Sequence, residues 1–262
     1  LAAHELELPV AHIEAGPRSF DWRMPEEGNR ALIGRLAALH LCPTAAAREL
    51  LIAEGLERGA YIVGNTIADA VHAARDRART GSTILQRLGL TDARFALVTL
   101  HRASNVDEPI RFFELLAGLT RVAIDRELAL VWPMHPRARQ WLRDGLNVPW
   151  IVTDPIGYLD CQQLLSHATA VFTDSGGLQE EACILRVPCV TLRDRTERPE
   201  TVDAGANVLC YDVAPAALDA ALETVLANMR LWVSPFGDGH AAERIVDLLL
   251  SPATSRRPSG EK

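Results

Sequence analysis

Between residues 95 and 211 the chain repeats one rhythm: a short apolar run, a polar corner, then a stretch with helical spacing. The runs fall at 95–100, 128–132, 150–152, 170–172, 189–192 and 208–211, and helical patterns at 110–124, 159–167, 178–185 and 216–229 separate most of them. Strands that alternate with helices pair in parallel through right-handed crossovers. The fold class is therefore α/β, and this stretch alone supplies a complete doubly wound, Rossmann-like sheet.

The region before it follows the same pattern more sparsely. Residues 10–13, 39–42 and 61–63 read as strands, with helices at 30–38, 45–54 and 67–77. Thr44 is a good N-cap for the second of these, and Gly55 ends it. Three strands make an incomplete Rossmann-like sheet, whose missing strands are expected upstream of Leu1. The polar segment 76–83 (D-R-A-R-T-G-S-T) reads as a linker or hinge. It divides an N-terminal domain, 1–78, from a C-terminal domain, 79–239. A last helix follows at 240–250, and the tail 251–262, rich in Pro, Ser and charge, is expected to be disordered.

Composition removes several function classes. A net charge of −7 over 262 residues argues against a general nucleic-acid or polybasic membrane surface. No apolar run approaches the roughly 18–20 residues of a membrane span, and no signal peptide is visible. Five cysteines are scattered without C-x-x-C spacing, mostly in apolar contexts, which reads as reduced core residues of a cytosolic protein. No H-E-x-x-H, Cys/His cluster or carboxylate run has ligand spacing, so no metal is expected. G-x-G-x-x-G is absent as well, which argues against an NAD dehydrogenase.

The chemistry-bearing residues gather at strand ends, where doubly wound sheets open onto their ligand crevice. In A-V-F-T-D-S-G-G-L-Q-E-E (170–181) a buried strand turns through Asp174 and Ser175, passes Gly176 and Gly177, and enters a helix. Such a corner offers free backbone N–H groups and a positive dipole end to an anion, and glycines let a phosphate approach. His12 and Glu14 close the first strand, His101 and Arg102 follow 95–100, and His135 follows 128–132. Pro25 fits the first turn of a helix whose dipole Glu26 and Glu27 complement. Glu26 with Glu14 also fits a carboxylate pair for two-sided proton transfer. The stretch R-D-R-T-E-R-P-E (193–200) is either a solvated loop or a source of one arginine for a pyrophosphate.

Taken in order, H-I-E-A-G (12–16), M-P-E-E-G-N-R (24–30), V-G-N-T (63–66) and T-L-H-R-A-S-N-V-D (99–107) resemble the non-hydrolysing UDP-N-acetylglucosamine 2-epimerase family. The resemblance continues through T-D-S-G-G-L-Q-E-E (173–181), R-D-R-T-E-R-P-E, A-G (204–205) and P-F-G-D-G-H-A (235–241). Each motif is weak alone; the ordered set is specific and covers the chain to about residue 250. It implies two Rossmann-like domains in a glycosyltransferase-B arrangement, a sugar nucleotide between them, and a last helix that rejoins the N-terminal domain. It implies cytoplasmic homodimers that serve cell-surface polysaccharide biosynthesis without a cofactor. Their reaction interconverts UDP-GlcNAc and UDP-ManNAc by eliminating UDP to 2-acetamidoglucal and adding it back.

By the same resemblance, Glu14 and Glu26 are the acid and base, and His101 assists departure of UDP. Ser175, Gly176 and Gly177 cradle the diphosphate, Glu181 binds the ribose hydroxyls, and Arg102, His135 and Arg198 contact the UDP-sugar. The family's first half-domain, with a basic motif and a catalytic aspartate, has no counterpart after Leu1. A chain that truly begins there is expected to bind UDP weakly without turnover. Four alternatives stay open: a non-catalytic UDP-sugar-binding fragment, a hydrolysing 2-epimerase, a modified-sugar 2-epimerase and a glycosyltransferase-B enzyme.

Overall fold

A computed structural model describes residues 1–18, 20, 22, 25–143, 147–229 and 231–251. The chain forms two compact units, one from Leu1–Ala70 with the chain from Phe236 on, the other from Val71–Pro235.

In the first unit three parallel strands lie in the order β1 (Ala11–Ile13), β2 (Leu39–Cys42), β3 (Ala60–Ile62). Thr44 caps the helix Ala45–Ala53 as its position predicts, its hydroxyl accepting from the Ala47 amide at 3.1 Å. That helix buries Ala47 and Leu51 against Ala15 and Cys42. The turn after β1 tolerates only glycine at Gly16, where φ is +103° and a Cβ would sit 2.2 Å from the Ala47 carbonyl oxygen. Pro25 does open a helix, Pro25–Leu36, with Glu26 and Glu27 in its first turn. The last helix, Ala241–Leu250, belongs to this unit: Ile245 packs with Leu41 and Val63, and Asp69 accepts from the Ala241 and Ala242 amides at 3.1 and 2.8 Å.

The polar stretch after residue 76 is helical up to Gly81. The helix Thr66–Gly81 runs through it, and the division between units falls inside that helix, after Ala70. Val71, Ala74 and Ala78 are buried at helical spacing, and that apolar stripe outweighs the polarity of the opposite face.

The second unit holds six parallel strands in the order β6-β5-β4-β7-β8-β9. They are β4 (Phe95–Thr99), β5 (Ala129–Pro133), β6 (Ile151–Thr153), β7 (Ala170–Thr173), β8 (Cys189–Thr191) and β9 (Asn207–Leu209). Successive side chains point to opposite faces, so one core takes Leu97, Val131, Val171 and Cys189, and the other takes Ala96, Trp132, Phe172 and Val190. Gly118 lets the helix Pro109–Asp125 approach the segment before Pro215–Ala227; a Cβ there would meet the Val213 carbonyl oxygen at 2.3 Å. Strand order reverses between β4 and β7, and such a switch point opens a crevice at the strands' carboxyl ends.

The short helices Ile84–Arg87, Ala103–Val106, Arg139–Arg143 and Pro199–Asp203 escape sequence periodicity because none reaches two turns. All five cysteines are free; Cys161 is half-buried and the others are buried. No described helix is long and apolar enough to cross a membrane, and the described residues contain no group of three metal-ligating side chains. Met24 of the M-P-E-E-G-N-R motif and the tail from residue 252 lie outside the described residues.

Candidate active site

Strands β4 and β7 run side by side with Thr99 opposite Thr173, and the two hydroxyls hydrogen-bond at 2.6 Å. Past β7 the chain turns at Asp174 and enters the helix Gly176–Leu185. Ser175 is its N-cap, the hydroxyl accepting from the Leu178 amide at 3.4 Å. Gly176 and Gly177 are the first two helical residues, so their N–H groups have no partner within the helix. A Cβ on Gly177 would touch nothing within 4 Å, and one on Gly176 only the Glu197 carboxylate, at 3.9 Å. Neither glycine sits in the left-handed region; what both provide is room.

Asp174 is wholly buried behind this corner. Its carboxylate accepts from the His101 amide at 3.1 Å, the Arg102 amide at 3.0 Å, the Asn105 side-chain amide at 3.2 Å and His101 Nδ1 at 2.7 Å. Burial pushes its pKa up, but the bonds from His101, the Arg102 amide and Asn105 together hold it below the ordinary carboxylate value. The residues that follow β4 are thus tied to the residue that follows β7.

A cavity of about 330 Å³ opens at these strand ends. Its walls include the apolar Leu100, Met134, Ile156 and Leu178, and its polar groups include those of His101, His135, Tyr158, Ser175 and Glu181. The His101 and His135 ring centroids are 5.6 Å apart. Glu181, later on the helix that Ser175 caps, accepts from Gln162 at 2.5 Å and from the Tyr158 hydroxyl at 3.5 Å. Burial raises its pKa to about 7, against the two hydrogen bonds and with a push from Glu180. Burial, then the charge of Glu181, pushes Tyr158 and Cys161 up to about 12.

The loop after β8 is organised by ion pairs. Arg193 holds Glu197 through two bonds of 2.8 and 2.7 Å, and those bonds lower the Glu197 carboxyl to about 2. Arg198 pairs with Glu180 at 2.9 Å, and the Arg102 guanidinium lies 3.9 Å from Glu197. His101, His135, Ser175, Gly177 and Glu181 line the cavity, with Gly176 beside Gly177 at the same helix N-terminus, whereas Arg102 and Arg198 face these carboxylates instead. Glu14 and Glu26 belong to the first unit, both exposed, Glu14 just past β1 and Glu26 in the first turn of its helix. Glu14 has a φ of 61°, unusual for a residue other than glycine.

Asn105, Tyr158 and Gln162 join the site without having been singled out in the sequence. Asn105 lies within the quoted T-L-H-R-A-S-N-V-D motif. Tyr158 and Gln162 are four apart on one helix, a spacing that puts them on one face but does not say what the face meets.

Comparison with known proteins shows the family. Residues 1–250 match the family described as UDP-N-acetylglucosamine 2-epimerase. The UDP-N-acetylglucosamine 2-epimerase of Methanocaldococcus jannaschii is 40% identical over 259 residues, which are 95% of this chain and 70% of that protein. The UDP-2,3-diacetamido-2,3-dideoxy-D-glucuronate 2-epimerase of Pseudomonas aeruginosa is also 40% identical, over 257 residues, with 95% and 70% covered. The M. jannaschii enzyme crystallised with UDP-GlcNAc and UDP shares the fold at a TM-score of 0.79, covering 94% of this chain and 70% of its own. With its parallel α/β units, of the glycosyltransferase-B fold class, this chain belongs to the UDP-N-acetylglucosamine 2-epimerase family of isomerases.

Proposed function

We propose that the chain is a UDP-GlcNAc 2-epimerase that forms UDP-ManNAc by eliminating UDP to 2-acetamidoglucal, then adding UDP back at C1 with protonation of C2 on its other face. The observation that carries this is the pairing, in one cavity, of a glycine-opened helix N-terminus with Glu181 further along the same helix. The amides of Gly176 and Gly177 with the Ser175 hydroxyl suit a diphosphate. Glu181 suits ribose hydroxyls, which donate to a carboxylate. His101 beside that N-terminus suits the charge that grows on the departing UDP.

In this reading Glu14 and Glu26 exchange the C2 proton, Glu14 from a strained backbone of the kind that functional positions retain. Arg102, His135 and Arg198 contact the UDP-sugar, Arg198 by leaving Glu180. Elimination breaks the C2–H and C1–O bonds heterolytically, and re-addition forms C1–O and protonates C2, so no cofactor enters the scheme. The working form is a cytoplasmic homodimer, checked by light scattering after size exclusion.

A second substrate is favoured by one finding: the diacetamido-glucuronate epimerase is as similar in sequence as the UDP-GlcNAc enzyme. Proton NMR in D2O with each UDP-sugar in turn tests both. Appearance of the C2 epimer with deuterium at C2 supports the reading and names the sugar. Absence of exchange with either sugar, while UDP still binds, refutes it.

A further inference from the structure

Four donors converge on one buried carboxylate. The His101 and Arg102 amides, Asn105 Nδ2 and His101 Nδ1 all point at Asp174, which is inaccessible to solvent. A carboxylate accepts at about four lone-pair positions, so this one is saturated by donors and has no place for a proton of its own. An ionised Asp174 in turn requires a hydrogen on His101 Nδ1.

The orientation of Asn105 is settled by its neighbours. Its Nδ2 donates to Asp174 at 3.2 Å and to the Leu192 carbonyl at 3.0 Å, while its Oδ1 accepts from Arg111 Nε at 3.0 Å. Swapping the amide would place donor against donor on one side and acceptor against acceptor on the other. Arg111 is itself stacked over the Tyr211 ring, 3.7 Å from its centroid. One polar line therefore runs from Arg111 through Asn105 and Asp174 to His101.

We propose that Asp174 is the positioning residue of this site, holding His101 with its proton on Nδ1 so that Nε2 alone is left to meet the diphosphate. The ring lines the cavity, and with Nδ1 committed, Nε2 accepts a proton or, in the charged ring, donates one to a phosphate oxygen. Asn105 and Arg111 act one and two steps further back, by keeping the Asp174 oxygens aimed. The proposal rests on the nucleotide-sugar reading for what Nε2 touches, but the tautomer itself does not depend on that reading.

The test uses the full chain as wild type, His101→Gln, Asp174→Asn and the double variant. Nitrogen-15 NMR of wild type is expected to show the neutral His101 ring protonated on Nδ1. Each single variant is expected to lose kcat on the order of 10²-fold with KM little changed. The double variant is expected to be no slower than His101→Gln, because Asp174 acts through His101. A residue that only supported the fold would add its own loss. Should the wild type not epimerise, the function reading falls alone, and the same comparison is made on UDP affinity by calorimetry. Should Asp174→Asn fail to fold, the wild-type tautomer decides. Independent, multiplying losses in the double variant, or a wild-type ring protonated on Nε2, overturns the proposal.

Discussion

Glu181 answers to two opposing demands. The ribose-binding role proposed for it calls for an ionised carboxylate, yet burial in the cavity wall raises its pKa from 4.5 to about 7. Between those values the folded chain keeps a proton that the unfolded chain has lost, so stability from this group falls as pH rises from 4.5 to about 7 and is level beyond. Glu181→Gln removes that slope. Its Tm relative to wild type should therefore rise between pH 5 and pH 8, read by calorimetry at several pH values. UDP affinity should move the other way, strengthening in wild type as pH passes about 7 and staying flat in the variant. Glu14 and Glu26 give a complementary case. Glu14→Gln and Glu26→Gln should each slow C2 proton exchange about 10²–10⁴-fold, measured by deuterium uptake, and leave UDP affinity within twofold of wild type.

At the scale of elements, the two glycines of the helix Gly176–Leu185 separate what folding needs from what the proposed diphosphate binding needs. Nothing lies within 4 Å of a Cβ on Gly177, and an alanine in a helix is about 0.5–1 kcal/mol better than glycine. Gly177→Ala should raise Tm by a degree or two while weakening UDP binding at least tenfold; equal affinity would remove the phosphate from this corner. Gly118→Ala should do the opposite, lowering stability by the roughly 1–3 kcal/mol typical of overpacking and Tm with it, because its Cβ meets backbone at 2.3 Å. Sequence made the strands legible to within a residue or two, since apolar runs such as Ala170–Thr173 are buried on both faces. It misread residues 76–81 because their polarity faces outward and the buried Ala78 looks like any loop alanine. It found His101 and Ser175 as polar strand ends, but not the bond from His101 to Asp174. Residues 73 positions apart meet only when β4 and β7 pair, and no local spacing records that.

For the molecule as a whole, the groups proposed to hold the nucleotide, His101, Ser175, Gly177 and Glu181, share one unit, and Glu14 and Glu26 share the other. The first unit is stitched from both ends of the sequence: Asp69 holds the amides of Ala241 and Ala242, and Ile245 closes over Leu41 and Val63. Asp69→Ala should cost about 1 kcal/mol, as the loss of a helix cap does. The expected fall in Tm is about 2–4 °C, with no change in UDP affinity. This stitching has a consequence during synthesis. A ribosome has delivered every strand from β1 to β9 before the last helix leaves its exit tunnel, so the six-stranded sheet can close while the three-stranded one still waits for Ile245. The six-stranded unit can thus close early, and the unit that carries Glu14 and Glu26 matures only once the helix Ala241–Leu250 has been made.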